Sequence, residues 1–319
     1  MRRLIRSVLL LALAVAVVAL LLWYGDAGRV ASTISRFRPS YLVWYLLLLM
    51  AQEVARALLW ILLLRALSMR IPLSTQIFSF AAAESVKFVP AGAYLQNYLV
   101  QRLSGGDVGR SSAATTTMIL GEIVAALLGV MALSIGTLST WVSFIVVGGA
   151  IVLVIALCLF ILAPFAARLP MRLHRQKLAV RVFEELRRFR AGISVLMRPK
   201  IIASALLLSA GFVIFAGIDL YIVARALDIG GVTFRQTLVV TCFGLAFYVV
   251  LGSLEAAGVA AFVAIGVNKS AAVSAILVNR ALGIIGVFLL SCIVVALLPE
   301  EWHGLFRLQP GPRTASTAE

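Results

Sequence analysis

Eight ionisable side chains stand deep inside apolar runs: Glu53, Arg56, Glu84, Lys87, Glu122, Asp219, Glu255 and Arg280. At the centre of a bilayer-spanning helix each costs about 2.5–3.5 kcal/mol, so such groups need partners, a wet cavity or both. Glu53 and Arg56 are three residues apart, as are Glu84 and Lys87, so on a helix each pair shares a face. Pairs of this kind either lower the cost of insertion or present charge to a polar intramembrane site. Glu84 and Lys87 precede a helix break at Pro90-Ala91-Gly92, and the amides Gln96 and Asn97 follow it. Irregular backbone at depth is tolerated where it lines a cavity, which favours a functional site there.

Glu122 and Arg280 have no neighbour of opposite sign within their own apolar runs, so they are expected to meet or to face one cavity. Glu255, in GSLEAAG, follows a second break at Gly252. Asp219 lies nearer the end of its run, where it is expected to reach water. The candidate binding residues for a substrate or coupling ion are therefore Glu84, Lys87, Asn97, Glu122, Glu255 and Arg280, with Pro90, Gly92 and Gly252 as structural breaks.

Catalytic chemistry finds little support. The two histidines, His174 and His303, fall in basic or terminal loops, and no HExxH, nucleophile elbow or paired-carboxylate loop is present. The glycine-rich GGDVGRS at Gly105–Ser111 lacks the lysine of a phosphate loop and reads as a turn. No enzyme, metal or cofactor is expected. Cys158, Cys242 and Cys292 are far apart in apolar segments and read as core-filling side chains.

The elements that position these groups are membrane helices. Of 319 residues 62% are hydrophobic and 13% charged, with a mean hydropathy of +1.07, which excludes a soluble domain. Six runs are long enough to span: about 4–24, 40–64, 111–136, 140–162, 201–224 and 271–298. The N-terminal run is longer than a signal-peptide core and reads as an uncleaved first helix. Two interrupted segments remain, 75–103 and 234–267. Ten Lys/Arg against two Glu between Phe165 and Lys200, with Arg2, Arg3 and Arg6, place that linker and both termini in the cytoplasm. A single crossing by residues 75–103 would put the linker on the wrong side, so the segment is expected to re-enter as a broken hairpin. The same holds for residues 234–267 from the opposite face. The basic excess follows this bias and does not point to nucleic acid. Trp23, Tyr24, Tyr41, Trp44, Tyr45 and Trp141 are expected at the outer interface.

A 160-residue offset aligns Arg38-Pro39 with Arg198-Pro199, Arg65-Ala66-Leu67 with Arg225-Ala226-Leu227, and Gly92 with Gly252. Each unit, about 38–136 and 198–298, would be span, hairpin, span, and the two would enter the membrane from opposite sides. The fold class expected is thus an all-α polytopic membrane protein with two re-entrant hairpins in an inverted repeat. Residues 1–299 would form one transmembrane domain with a basic linker at 165–200, and residues 300–319 a disordered tail. In the linker, Val182, Leu186, Phe189, Ile193 and Leu196 recur at helical spacing, as in an amphipathic helix lying on the anionic membrane surface.

Pro90-x-Gly92 with Asn97, Leu99 and Arg102, then Gly121-Glu122, the basic linker helix, Gly252-x-x-Glu255, Gly266-Val267 and Arg280 form a pattern. It resembles the flippase-like transmembrane region of lysylphosphatidylglycerol synthases and their stand-alone relatives, over roughly residues 40–298. The chain departs from it at Ala93-Tyr94-Leu95, where a charged residue is usual, and at Val249-Val250-Leu251, where a proline is usual. The resemblance implies movement of a lipid or lipid-linked intermediate between leaflets of the cell membrane. Lys87 and Arg280 suit an anionic head group. The alternative is a non-transporting assembly partner of a neighbouring lipid- or glycan-modifying enzyme; a membrane-embedded transferase is the weaker third.

Overall fold

A computed structural model describes residues 18–86, 92–134, 177–246 and 253–301, with Gly148. Among the described residues, the helices with both ends defined are α1 (Ala27–Ile34), α2 (Tyr41–Ala66), α3 (Leu73–Glu84), α4 (Leu95–Ser104, entered through a 3₁₀ turn at Gly92–Tyr94), α5 (Val108–Ser134), α6 (Lys177–Leu196), α7 (Pro199–Ala226), α8 (Phe234–Ala246), α9 (Ser253–Ala264) and α10 (Lys269–Ala296). No strand occurs among the described residues. Four helices, α2, α5, α7 and α10, are long and apolar enough to cross a membrane, so the chain is an all-α polytopic membrane protein. The expected spans near 4–24 and 140–162 lie wholly or largely outside the described residues, as do Lys87, Pro90, Gly252, Trp141 and Cys158.

Local chemistry sets the helix ends. Arg198 is extended because Pro199 follows it, and that proline opens α7 where no intrahelical N–H is needed. The Asn268 side chain accepts from Ser270 N–H to cap α10. Gly105, at φ 68°, closes α4 in the left-handed conformation.

The order long, short, short, long occurs in α2–α5 and again in α7–α10. The ends of α2 and α7 also match in detail. Ser68 and Asp228 have φ of 57° and 56°, and Met69 N–H donates to Leu64 C=O as Ile229 N–H does to Ala224 C=O. Each is a Schellman-type stop, and the two stand at the 160-residue offset of the aligned sequence.

The two halves run in opposite directions. Arg38, just before α2, donates its N–H to Ala226 C=O at the end of α7, and its guanidinium lies 3.2 Å from Asp228. At the far end Leu64 and Leu67 pack with Leu196 and Ala205. Helices α2 and α7, the first of each half, are therefore antiparallel along their length. The short-helix pairs enter from opposite ends as well. The start of α3 sits at the far end of α10, where Ser74 and Thr75 donate to the Glu301 carboxylate at 2.7 and 3.0 Å. The base of the α8–α9 pair lies near the end of α7 and the start of α10. Glycines admit the close crossings this needs: a Cβ on Gly121 would meet Ser209 and one on Gly217 would meet Leu238, bringing α5, α7 and α8 together.

Several expectations change. Helix α6 does not lay its apolar face on the membrane. Leu196 is buried and Phe189 and Ile193 pack against α2 and α5, while Leu186 alone of that set is exposed among the residues whose side chains are described. Docking wins because Gly109 and Gly192 let the helix approach α5 closely, and Gly109 N–H donates to the Glu185 carboxylate at 2.8 Å. Tyr45 leaves the aromatic belt: Trp23 and Trp44 are exposed, but Tyr45 is buried and its hydroxyl donates to Asn279 C=O at 3.1 Å. Cys242 fills a core position against Gly129, whereas Cys292 is exposed on the outer side of α10. Glu301 belongs to the fold and not to a disordered tail.

The seat of α6 is testable. A Cβ on Gly109 would lie 2.6 Å from the Glu185 carbonyl oxygen, and backbone cannot move aside as a side-chain tip can. Gly109→Ala is expected to loosen the contact by about 1–3 kcal/mol. Hydrogen exchange over residues 177–196 should quicken while α7 and α10 stay protected. Unchanged exchange would refute the docking argument.

Candidate intramembrane site

Midway along α2, Arg56 is 4% exposed and gathers carboxylates from three helices. Its Nε lies 2.7 Å from Glu122 of α5, and one Nη lies 2.7 Å from Glu84 at the tip of α3 and 3.5 Å from Glu53 on its own helix. The guanidinium also sits over the Phe212 ring of α7 at 5.2 Å. Arginine suits the position because its planar fork stays charged and serves two carboxylates in fixed directions.

A second pair lies on the other half. Arg280 Nε of α10 is 3.0 Å from a Glu255 oxygen near the start of α9. The Arg280 side chain is 38% exposed, an unusual state for a cation near the middle of a long apolar helix.

Both pairs border one cavity of about 160 Å³, walled by α2, α3, α5, α7, α8, α9 and α10. Its charged lining comprises Glu53, Arg56, Glu84, Glu122, Asp219 and Arg280, set among apolar side chains. The end of α3 and the facing ends of α8 and α9 thus converge on a charged chamber at mid-depth, with room for several waters or a small head group. The girdle outside is apolar: Leu47, Met50 and Val54 on α2 and Ile285, Phe288 and Leu289 on α10 are exposed.

The expected residues sort as follows. Glu84, Glu122 and Arg280 line the cavity, and Glu255 reaches it through Arg280. Glu122 and Arg280 face the same chamber but do not pair: Glu122 is met by Arg56 from the middle of α2 and Arg280 by Glu255 from the start of α9. Asn97 lies away from the lining. It accepts from the Thr115 hydroxyl at 2.9 Å, and Gln96 donates to that hydroxyl at 2.7 Å, so these amides tie α4 to α5. Gly92 opens the turn into α4.

Sequence reasoning missed three groups. Arg56 is the hub, although its only legible partner was Glu53. Asp219 does not lie at the protein surface but is 3% exposed in the cavity wall. Tyr45 also lines the chamber. For Arg56 a signal existed: Glu122 had no cation within its own run and needed one from another helix.

The model of one protein family, described as the lysylphosphatidylglycerol synthase TM region, matches residues 10–291. The chain belongs to that family. No curated protein matches it. The family match spans both halves of the fold and all the charged residues of the cavity. As a member of this family the chain is a multi-pass membrane protein.

Proposed function

We propose that this lysylphosphatidylglycerol synthase TM region protein is a flippase-like translocator. It would move a lipid or lipid-linked intermediate between leaflets of the cell membrane, with both termini cytoplasmic and no chemistry of its own. The observation that carries the reading is the charged chamber at mid-depth, built where short helices of the two halves, α3 and the α8–α9 pair, meet. Such broken elements at a repeat interface are a recurring transporter design. A head group would cross the polar chamber while its acyl chains stay beside the apolar girdle of α2 and α10. Arg280, half-exposed at that depth, is placed to meet a phosphate.

The second reading, a docking partner for a lipid-modifying enzyme, is favoured by one fact: the family is described as the membrane region of a synthase. Reconstitution separates them. Purified protein in vesicles carrying fluorescent lipids of several head groups should speed their exposure to an external quencher at least tenfold over protein-free vesicles. Folded protein that accelerates none of them would overturn the translocator and leave the docking partner.

A further inference from the structure

The other charges of the cavity have opposite partners. Glu53, Glu84 and Glu122 each lie within 3.5 Å of Arg56, and Arg280 is met by Glu255. Asp219 of α7 differs: it makes no ion pair with the described residues, and its buried Oδ1 accepts no hydrogen bond from them. Two further buried oxygens of the same lining share that state, Oγ1 of Thr241 on α8 and Oδ1 of Asn279 on α10. Leaving such a buried group unsatisfied is costly, more so when it is charged. Other partnerless oxygens, on Gln76, Ser79, Thr117 and Ser209, lie outside this lining and are neutral.

The cavity therefore collects one carboxylate, one amide oxygen and one hydroxyl oxygen from three different helices, all with lone pairs to give. We propose that Asp219, Thr241 and Asn279 form a binding site for a monovalent cation. Oxygen-only ligands with a single formal negative charge suit a compact +1 ion; nitrogen and sulfur donors for a transition metal are absent from the set. The neighbouring cation, Arg280, is neutralised by Glu255 and does not forbid a second positive charge. The same chemistry is offered by a free alkali ion and by the ammonium group of a lipid head group. Binding follows from the cavity alone and does not require that lipid be moved, so it can fail or hold independently of the translocator.

Thermal melting of the full chain in a non-ionic detergent tests the site. Sodium, lithium, potassium and ethanolammonium chlorides are compared with N-methylglucamine chloride at equal ionic strength. A bound cation at tenfold over its dissociation constant is expected to raise the midpoint by roughly 2–4 °C. The rise should vanish in Asp219→Asn and shrink in Thr241→Val, which keeps the side-chain shape should the first variant fold poorly. A response to an alkali ion identifies a free ion as the ligand. A response to ethanolammonium alone identifies a head-group amine. Equal melting in every salt, or an undiminished response in both variants, overturns the proposal and makes Asp219 a neutral acid of the wall.

Discussion

Arg56→Gln is expected to destabilise the protein by about 3–5 kcal/mol, the usual cost of breaking a buried ion pair from one side. Glu84 and Glu122, both buried, each lose a charged contact of 2.7 Å, and Glu53 loses its neighbour at 3.5 Å. The damage should spread beyond α2, because the contacts tie the α3 tip and the middle of α5 to it. The observable is a large drop in melting midpoint and in monodisperse yield after extraction. Arg56→Lys should fall between, since an ammonium lacks the fork that reaches two carboxylates in fixed directions. The double variant Arg56→Gln with Glu122→Gln should recover part of the loss, because it also removes one of the carboxylates that loses its contact. Wild-type melting in Arg56→Gln would show that the cluster does not hold the helices together.

Arg280→Gln is expected to act on transport more than on folding. If this side chain receives a lipid phosphate, losing a charge-assisted contact of about 1.5–3 kcal/mol lowers the transport rate roughly 10- to 100-fold. Stability should fall modestly, because the 14% exposed Glu255 side chain is left without its 3.0 Å partner. Adding Glu255→Gln should restore melting and leave transport impaired, which separates positioning from binding. The measurement is quencher-detected lipid exposure in reconstituted vesicles, with melting followed in parallel. Full transport in Arg280→Gln would remove Arg280 from the pathway. Joint recovery of transport and melting in the double variant would reduce its role to a structural bridge.

Much of this architecture is legible in the linear chain. Composition and run length fix the membrane setting, because no water-exposed surface could be so apolar. The repeated Arg-Pro and Arg-Ala-Leu signals mark where α2 and α7 begin and stop, and the same local hydrogen-bond geometry ends both helices. The charges that line the cavity stood out because each contradicts its surroundings. These readings rest on local physics: propensity, breakers and the cost of putting one charged residue in hydrocarbon.

Only the tertiary structure decided who meets whom. Spacing along a helix finds partners three or four residues away, so it finds Glu53 for Arg56 but not Glu84 or Glu122 from two other helices. The burial of Asp219 and Tyr45 depends on how α2, α7 and α10 are rotated and crossed, which close-contact positions such as Gly283 and Gly286 set. Helix α6 carried the pattern of a surface helix, and what its apolar face covers was settled by Gly109 and Gly192 on the helices that meet there. The sequence alone thus determined that this is a membrane protein of repeated, broken helices with charges that must be reconciled. Their reconciliation around one cavity needed the fold, because an ion pair between helices is a property of packing geometry.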